Sequence, residues 1–65
     1  MLPLQREILI LIGRGLTYRE VAHHVHLSEA SIKYNMKHIL GKLHLANRTE
    51  AVAYAQRSGL TSADQ

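Results

Sequence analysis

The sequence predicts an all-α fold: a compact four-helix domain that contains a helix-turn-helix. Apolar residues recur at helical spacing over most of the chain, and capping signals divide it into four segments. A chain of 65 residues is long enough for one domain only. We therefore treat residues 1–65 as a single domain, with an ordered core over about 3–60 and a polar tail at 61–65.

The first helix is predicted from Pro3 to Arg14. Proline suits the first helical turn, because its missing N–H would have no intrahelical partner there. Four apolar residues share one face: Leu4, Ile8, Leu11 and Ile12. The run "ILILI" could also be a buried strand, but its place inside a longer helical pattern favours a helix. Gly13 or Gly15 can take the left-handed conformation that ends a helix.

A capping box opens the second helix. In "TYRE", the Thr17 hydroxyl can accept the N–H of Glu20, while the Glu20 side chain returns to the N–H of Thr17. The helix is short and ends near Val25. A small residue, Ala22, lets the next helix approach closely, so the second and third helices form a helix-turn-helix candidate.

The third helix is predicted from Glu29 to Leu43, with Ser28 as its N-cap, and it has two contrasting faces. One narrow sector is apolar and predicts the buried side: Ile32, Met36, Ile39 and Leu43. The opposite side holds two cations, a phenol and two small residues: Ala30, Lys33, Tyr34, Lys37 and Gly41. Such a face can enter the major groove of DNA, whereas the simpler alternative is a solvated helix face.

The fourth helix is predicted through "RTEAVAYAQRS" and stops at Gly59. Asn47, with Glu50 three residues later, is its N-terminal capping signal. Tyr54 lies among small residues in "AVAYA", a pattern that suits close contact between helices. A helical protein-docking module that uses this helix therefore remains an alternative function.

Charge and composition restrict the classes of function. The formal net charge is +3 and the sequence pI is near 9.7, values that fit a nucleic-acid-binding domain or a protein that is merely basic. The chain has no cysteine, which suits a reducing compartment. No apolar run approaches membrane-spanning length. We expect a cytoplasmic protein without a membrane partner.

No enzymatic activity, cofactor or metal site is expected. His23 and His26 are three residues apart, but His26 falls at the turn, and no cysteine or nearby acid completes a tetrahedral zinc site. Histidines at this corner could instead add positive charge at mildly acid pH. Glu7 and Glu20 are better explained by ion pairing and capping than by acid–base catalysis.

The string "GLTYREVAHHVHLSEASIKYNMKHILGKLHLANRTEAVAYAQRSGL" resembles the LuxR-type (GerE-type) helix-turn-helix domain of NarL-type response regulators and quorum-sensing regulators. The resemblance covers Pro3 to Leu60, and its most specific elements are "REIL", "GLT..EVA", "LS..SIK", "IL.KL" and "NRTEAVAYA". It implies a bacterial transcriptional regulator that binds specific DNA sequences, with its third helix in the major groove. A sigma-factor-type domain shares the motif, but the "NRTEAVAYA" segment favours the LuxR type.

The resemblance also implies roles for particular residues. Contacts to DNA bases fall on the face already selected from helical spacing: Lys33, Tyr34 and Lys37. Contacts to the DNA backbone fall on Thr17, Ser28, Ser31, Asn35, Lys42 and Arg48. A homodimer contact through the fourth helix, which DNA can induce on paired half-sites, falls on Ala51, Tyr54, Ala55 and Ser58. RNA polymerase is a further implied partner.

The sequence departs from the family pattern at five positions. Leu2 and Gln5 stand where the family has a capping threonine and an acid. Tyr18 and Asn35 replace a usual asparagine and a usual histidine. Gly41 occupies a position that is usually long and polar, and glycine inside a helix costs about 1 kcal/mol relative to alanine.

Overall fold

The computed structural model describes residues 1–59 and folds them into four helices, which confirms the predicted all-α class. The helices are α1 (Pro3–Gly13), α2 (Tyr18–Val25), α3 (Glu29–Leu43) and α4 (Arg48–Arg57). The predicted bounds differ from these by no more than one residue. The predicted polar tail, 61–65, lies outside the described residues. None of the helices within residues 1–59 combines the length and the apolar character needed to cross a membrane.

The predicted capping box starts α2. The Thr17 hydroxyl accepts the N–H of Glu20 at 3.1 Å, and the Glu20 carboxylate accepts the N–H of Thr17 at 2.8 Å. These two bonds satisfy two backbone donors that have no partner inside the helix. They therefore fix where the chain turns into α2.

Side-chain caps also start α3 and α4. Ser28 accepts the N–H of Ser31 at 3.1 Å, as its predicted N-cap role requires. Asn47 accepts the N–H of Glu50 at 3.0 Å, and the Glu50 carboxylate accepts the N–H of Ala46 at 2.6 Å. In a standard capping box the carboxylate would accept the N–H of the N-cap residue, Asn47. Here it accepts the N–H of Ala46, one residue earlier, and so also fixes the connection before α4.

Three of the helices end in the same backbone motif. A left-handed residue stands within two positions of the helix end in each case: Gly15 two residues after α1, and His26 and His44 directly after α2 and α3. The next residue is a leucine, whose N–H bonds to a carbonyl five residues earlier: Leu16, Leu27 and Leu45. This is a Schellman motif, which satisfies carbonyls that the helix leaves without a partner. Glycine was anticipated after α1, but the histidines at φ 60° and 56° were not, because side chains rarely adopt this conformation.

The core forms where α2, α3 and α4 each pack against α1. Its largest fully buried side chains come from the first three helices: Ile8, Leu9, Ile12, Val21, Ile32, Met36 and Ile39. Because α1 is enclosed by three helices, it buries a wider arc than the predicted stripe. Leu9, outside that stripe, has no exposed surface, whereas Leu4, within it, is 37% exposed.

Small residues let α4 lie close to α1. Ala51 and Ala55, one helical turn apart, have no exposed surface. The Gln56 side chain donates to the carbonyl of Gly13 at 3.2 Å and so joins the end of α1 to α4. This interface fixes the helix-turn-helix on a rigid support.

Candidate nucleic-acid interface

The corner between α2 and α3 is held at both ends by hydrogen bonds. The Schellman motif at His26 ends α2, and the Ser28 cap starts α3 only three residues after Val25. Ala22 is buried where the two helices pack, as its predicted role at a close approach requires. The short α2, the tight corner and the longer α3 form the predicted helix-turn-helix.

The two faces of α3 separate as predicted. Ile32, Met36 and Ile39 are buried in the core, and Leu43 is partly buried. All members of the opposite face are exposed: Ala30, Lys33, Tyr34, Lys37 and Gly41. We call these five residues the outer face of α3. Tyr34 stands out, because 64% of it is exposed although it is a large aromatic residue.

The two lysines of the outer face differ in their electrostatic surroundings. The Lys33 ammonium lies 3.9 Å from the carboxylate of Glu29, with side chains 65% and 50% exposed. A pair this exposed is weak, because solvent screens it. Lys37 takes part in no ion pair within residues 1–59. Both cations therefore remain available to an anionic ligand.

His38 extends the outer face, although it was not among the predicted contact residues. Its ring centroid lies 4.6 Å from that of Tyr34, with the two planes tilted by 56°. Residues four apart on a helix are neighbours on its surface, so the spacing of Tyr34 and His38 was a signal that could have identified it. The pair places an aromatic ring and an imidazole side by side.

Polar groups gather at the N-terminus of α3, where three predicted backbone contacts lie. The Ser28 hydroxyl donates to the Ser31 hydroxyl oxygen at 3.1 Å, which leaves the Ser31 proton able to donate outward. The Asn35 amide donates to the carbonyl of Ser31 at 2.8 Å. A helix N-terminus attracts anions through its unpaired N–H groups and its dipole. Thr17 occupies the corresponding position before α2.

Two further predicted backbone contacts, Lys42 and Arg48, are anchored to other parts of the fold. The Lys42 ammonium donates to the side-chain oxygen of Gln5 at 3.0 Å. The Arg48 guanidinium donates to the carbonyl of Leu16 at 2.7 Å and lies 5.0 Å from the ring centroid of Tyr18. Lysine has three donors and arginine five, so each cation retains donors for a second partner.

The predicted dimer contact needs correction, because half of its residues face the core. Ala51 and Ala55 have no exposed surface and pack within the monomer, so they cannot contact a second copy. Tyr54 is partly buried, and Ser58 is exposed with its hydroxyl donating to the carbonyls of Tyr54 and Ala55. Ala51 and Ala55, one helical turn apart, therefore mark the side of α4 that faces inward.

Three histidines lie on the surface beside the corner between α2 and α3: His23, His24 and His26. Across residues 1–59, no group of three histidine, aspartate or glutamate side chains is placed to hold a metal ion. That part of the chain also forms no pocket for a small substrate.

The geometry defines a helix-turn-helix domain of the DNA-binding type, with an exposed basic helix mounted on a small core. The family described as "Bacterial regulatory proteins, luxR family" matches residues 3–55. The chain belongs to this luxR family, which confirms the resemblance inferred from its sequence. It is therefore a DNA-binding domain of the kind that acts in transcriptional regulation.

The individual relatives include a transcriptional regulatory protein and response regulator proteins. The transcriptional regulatory protein ComA of Bacillus subtilis is 44% identical over 57 residues, which cover 85% of this chain and 27% of ComA. The response regulator protein VraR is 38% identical over 56 residues in both Staphylococcus aureus and Staphylococcus epidermidis, covering 86% of this chain and 27% of VraR. The chain thus spans about a quarter of the length of these relatives. No solved structure matches it significantly.

Proposed function

We propose that this domain recognises specific DNA sequences for a bacterial transcriptional regulator by placing α3 in the major groove. The observation that supports this most strongly is the exposed outer face of α3, which presents Lys33, Tyr34 and Lys37 while the opposite side is buried. The major groove admits an α-helix and displays a distinct pattern of donors and acceptors for each base pair.

The proposed contacts divide into base reading and positioning. Lys33 and Lys37 reach guanine O6 and N7, and Tyr34 packs on a thymine methyl group or bonds to phosphate. Residues around this face bind the phosphate backbone: Thr17, Ser28, Ser31, Asn35, Lys42 and Arg48. Backbone contacts provide most of the affinity and its dependence on salt, and they carry no sequence information directly.

We further propose that two copies bind paired half-sites and meet through α4. The side of α4 that faces away from the core includes Thr49, Ala53 and Arg57. A small residue at its centre, Ala53, would allow two α4 helices to approach closely. The same regulator would work in the cytoplasm, and RNA polymerase is a further partner that the resemblance implies.

Fluorescence anisotropy of a labelled pool of duplex DNA, measured at two salt concentrations, tests the DNA-binding role. Wild type is compared with Lys33→Ala/Lys37→Ala, and both are checked for folding by circular dichroism. We expect salt-sensitive binding by wild type and a loss of at least tenfold in the variant. Selection of preferred sequences from the pool then identifies the half-site.

The matched control is Arg6→Ala/Arg14→Ala, which removes the same charge from exposed positions in and just after α1. It should bind far better than the α3 variant, because only the outer face of α3 enters the groove. Equal losses in both variants would indicate a general charge effect. Failure of folded wild type to bind at low salt would favour the docking-module alternative, with a protein partner on α4.

A further inference from the structure

Gln5 is the one buried polar side chain among residues 1–59, with 6% of its surface exposed. It lies on α1, yet its side-chain oxygen accepts a hydrogen bond at 3.0 Å from Lys42, 37 positions later in the last turn of α3. Burial of an amide is costly unless it is hydrogen-bonded. A buried position of the core is therefore occupied by a polar side chain whose hydrogen bond holds the ammonium of an exposed lysine.

The chemistry of the acceptor matters as much as its position. A carboxylate at position 5 would hold the ammonium more strongly, but it would also neutralise the charge of Lys42. The neutral amide restricts the lysine and leaves its full positive charge in place. The ammonium has three donors, so two remain for a second acceptor after the bond to Gln5.

Lys42 lies beside the outer face of α3, on the flank that includes His38. It follows His38 by four residues, and such residues are neighbours along a helix surface. The side chain is exposed. A cation on this flank is close enough to the outer face to reach a phosphate of a nucleic acid that occupies that face.

We propose that Gln5 is a positioning residue for DNA binding: it holds the ammonium of Lys42 toward a phosphate and keeps its charge uncompensated. The proposal rests on the DNA-binding function proposed above. It assigns a role in binding to a residue that itself lies in the core and makes no contact with DNA.

The test is the dependence of DNA affinity on salt, measured by anisotropy with the selected duplex. Gln5→Glu is the central variant, because glutamate preserves the shape and the hydrogen bond to Lys42 but cancels its charge. Lys42→Gln removes the cation directly. Leu4→Glu is the matched control, since it adds the same negative charge one residue away, at a position that is 37% exposed and is not the hydrogen-bond acceptor of Lys42.

We expect the slope of log K against log salt to fall by about 0.9 in Lys42→Gln, the value for one phosphate contact. At 0.1 M salt this corresponds to a loss of about fivefold to tenfold in affinity. Gln5→Glu should reproduce most of both losses, while its thermal midpoint stays at or above that of wild type. Leu4→Glu should lose less than half as much in slope.

Two results would overturn the proposal. One is an unchanged salt slope in Lys42→Gln while wild type binds DNA in a salt-dependent manner. The other is Gln5→Glu behaving like wild type, or losing no more than Leu4→Glu. Failure of the DNA-binding function itself looks different, because wild type would then not bind the duplex at all.

Discussion

At the scale of single residues, Lys37 and Arg48 differ in how firmly the fold holds their charged groups. Lys37 is exposed and forms no ion pair within the described chain, so its position suits base reading. Arg48 is partly buried and tied to the Leu16 carbonyl and the Tyr18 ring. Its position suits a fixed phosphate contact that stays in place whatever the DNA sequence.

Lys37→Ala should therefore weaken binding to the preferred duplex by about 1–3 kcal/mol, and binding to random DNA by less. Arg48→Ala should weaken both similarly and flatten the salt slope by about 1. Competition titrations with specific and random duplexes measure both ratios. Equal loss of specificity in the two variants would contradict this division of roles. Because Arg48 also bonds within the fold, its variant must be compared below its own unfolding transition.

Glu29 is the acid that pairs with a lysine of the outer face, and we expect its negative charge to weaken DNA binding. It pairs weakly with Lys33 and lies in the first turn of α3, where a negative charge favours the helix dipole but repels phosphate. Glu29→Gln should raise DNA affinity by about threefold at low salt while lowering stability by about 0.3–1 kcal/mol. Glu7→Gln, at an exposed position of α1, is the control for general charge. A Glu29→Gln affinity no higher than that of Glu7→Gln would contradict a DNA site at this helix end.

At the scale of elements, the ends of α2 and α3 hold strain that a substitution can relieve. His44 ends α3 at φ 56°, a region where a side chain costs about 1–2 kcal/mol and glycine does not. His44→Gly should stabilise the domain by about 1 kcal/mol in denaturant titrations. His38→Gly, in the middle of α3, should destabilise it by about 0.5–1 kcal/mol. A loss of stability in His44→Gly would mean that the cap is not left-handed in solution.

The two sides of α4 predict responses of different size to a larger side chain. Ala55 has no exposed surface, whereas Ala53 on the outer side is partly exposed. Ala55→Leu should destabilise the monomer by about 1–3 kcal/mol, because extra methylene groups force a packed core apart. Ala53→Leu should change stability by less than about 0.5 kcal/mol. Thermal and denaturant unfolding of the two variants measure the difference, and similar losses would show that α4 is rotated from the orientation described.

Helix existence and the two faces of α3 were predictable from the sequence, because capping chemistry and apolar spacing act locally. Thr17 with Glu20, and Ser28 before α3, are signals within a few residues of the structure they determine. The burial of Leu9 and Gln5 was not predictable in this way, since it depends on three helices surrounding α1. The family resemblance placed Ala51 and Ala55 on the dimer face, and their burial became visible only once α4 was packed against the other helices.

The residues of the outer face were predictable from helical spacing, but the long-range contact beside that face and the backbone conformation at the ends of α2 and α3 were not. Lys33, Tyr34 and Lys37 project from one side of one helix, so periodicity alone grouped them. The bond from Lys42 to Gln5 joins residues 37 positions apart, and only the packing of α3 on α1 brings them together. The left-handed His26 and His44 escaped prediction, although each is followed by a leucine as Gly15 is.

At the scale of the whole molecule, a net charge of +3 on 65 residues favours binding to DNA of any sequence, and we propose that α3 provides the discrimination between sequences. Paired half-sites would add affinity only if two domains touch. Ala53→Glu, on the outer side of α4, should leave binding to a single half-site unchanged. It should reduce cooperative binding to a paired site by about tenfold, a coupling of about 1.4 kcal/mol. Gel-shift titrations of the two duplexes measure this, and unchanged cooperativity would exclude contact through this side of α4.

The most direct test of the central claim is chemical-shift mapping of the ¹⁵N-labelled domain with the selected duplex. A DNA-reading α3 predicts the largest amide shifts at residues 28–41, smaller shifts near Thr17 and Arg48, and little change along the outer side of α4 when a single half-site is used. Shifts concentrated on α4, with residues 30–41 unaffected, would contradict the assignment of α3 as the recognition helix.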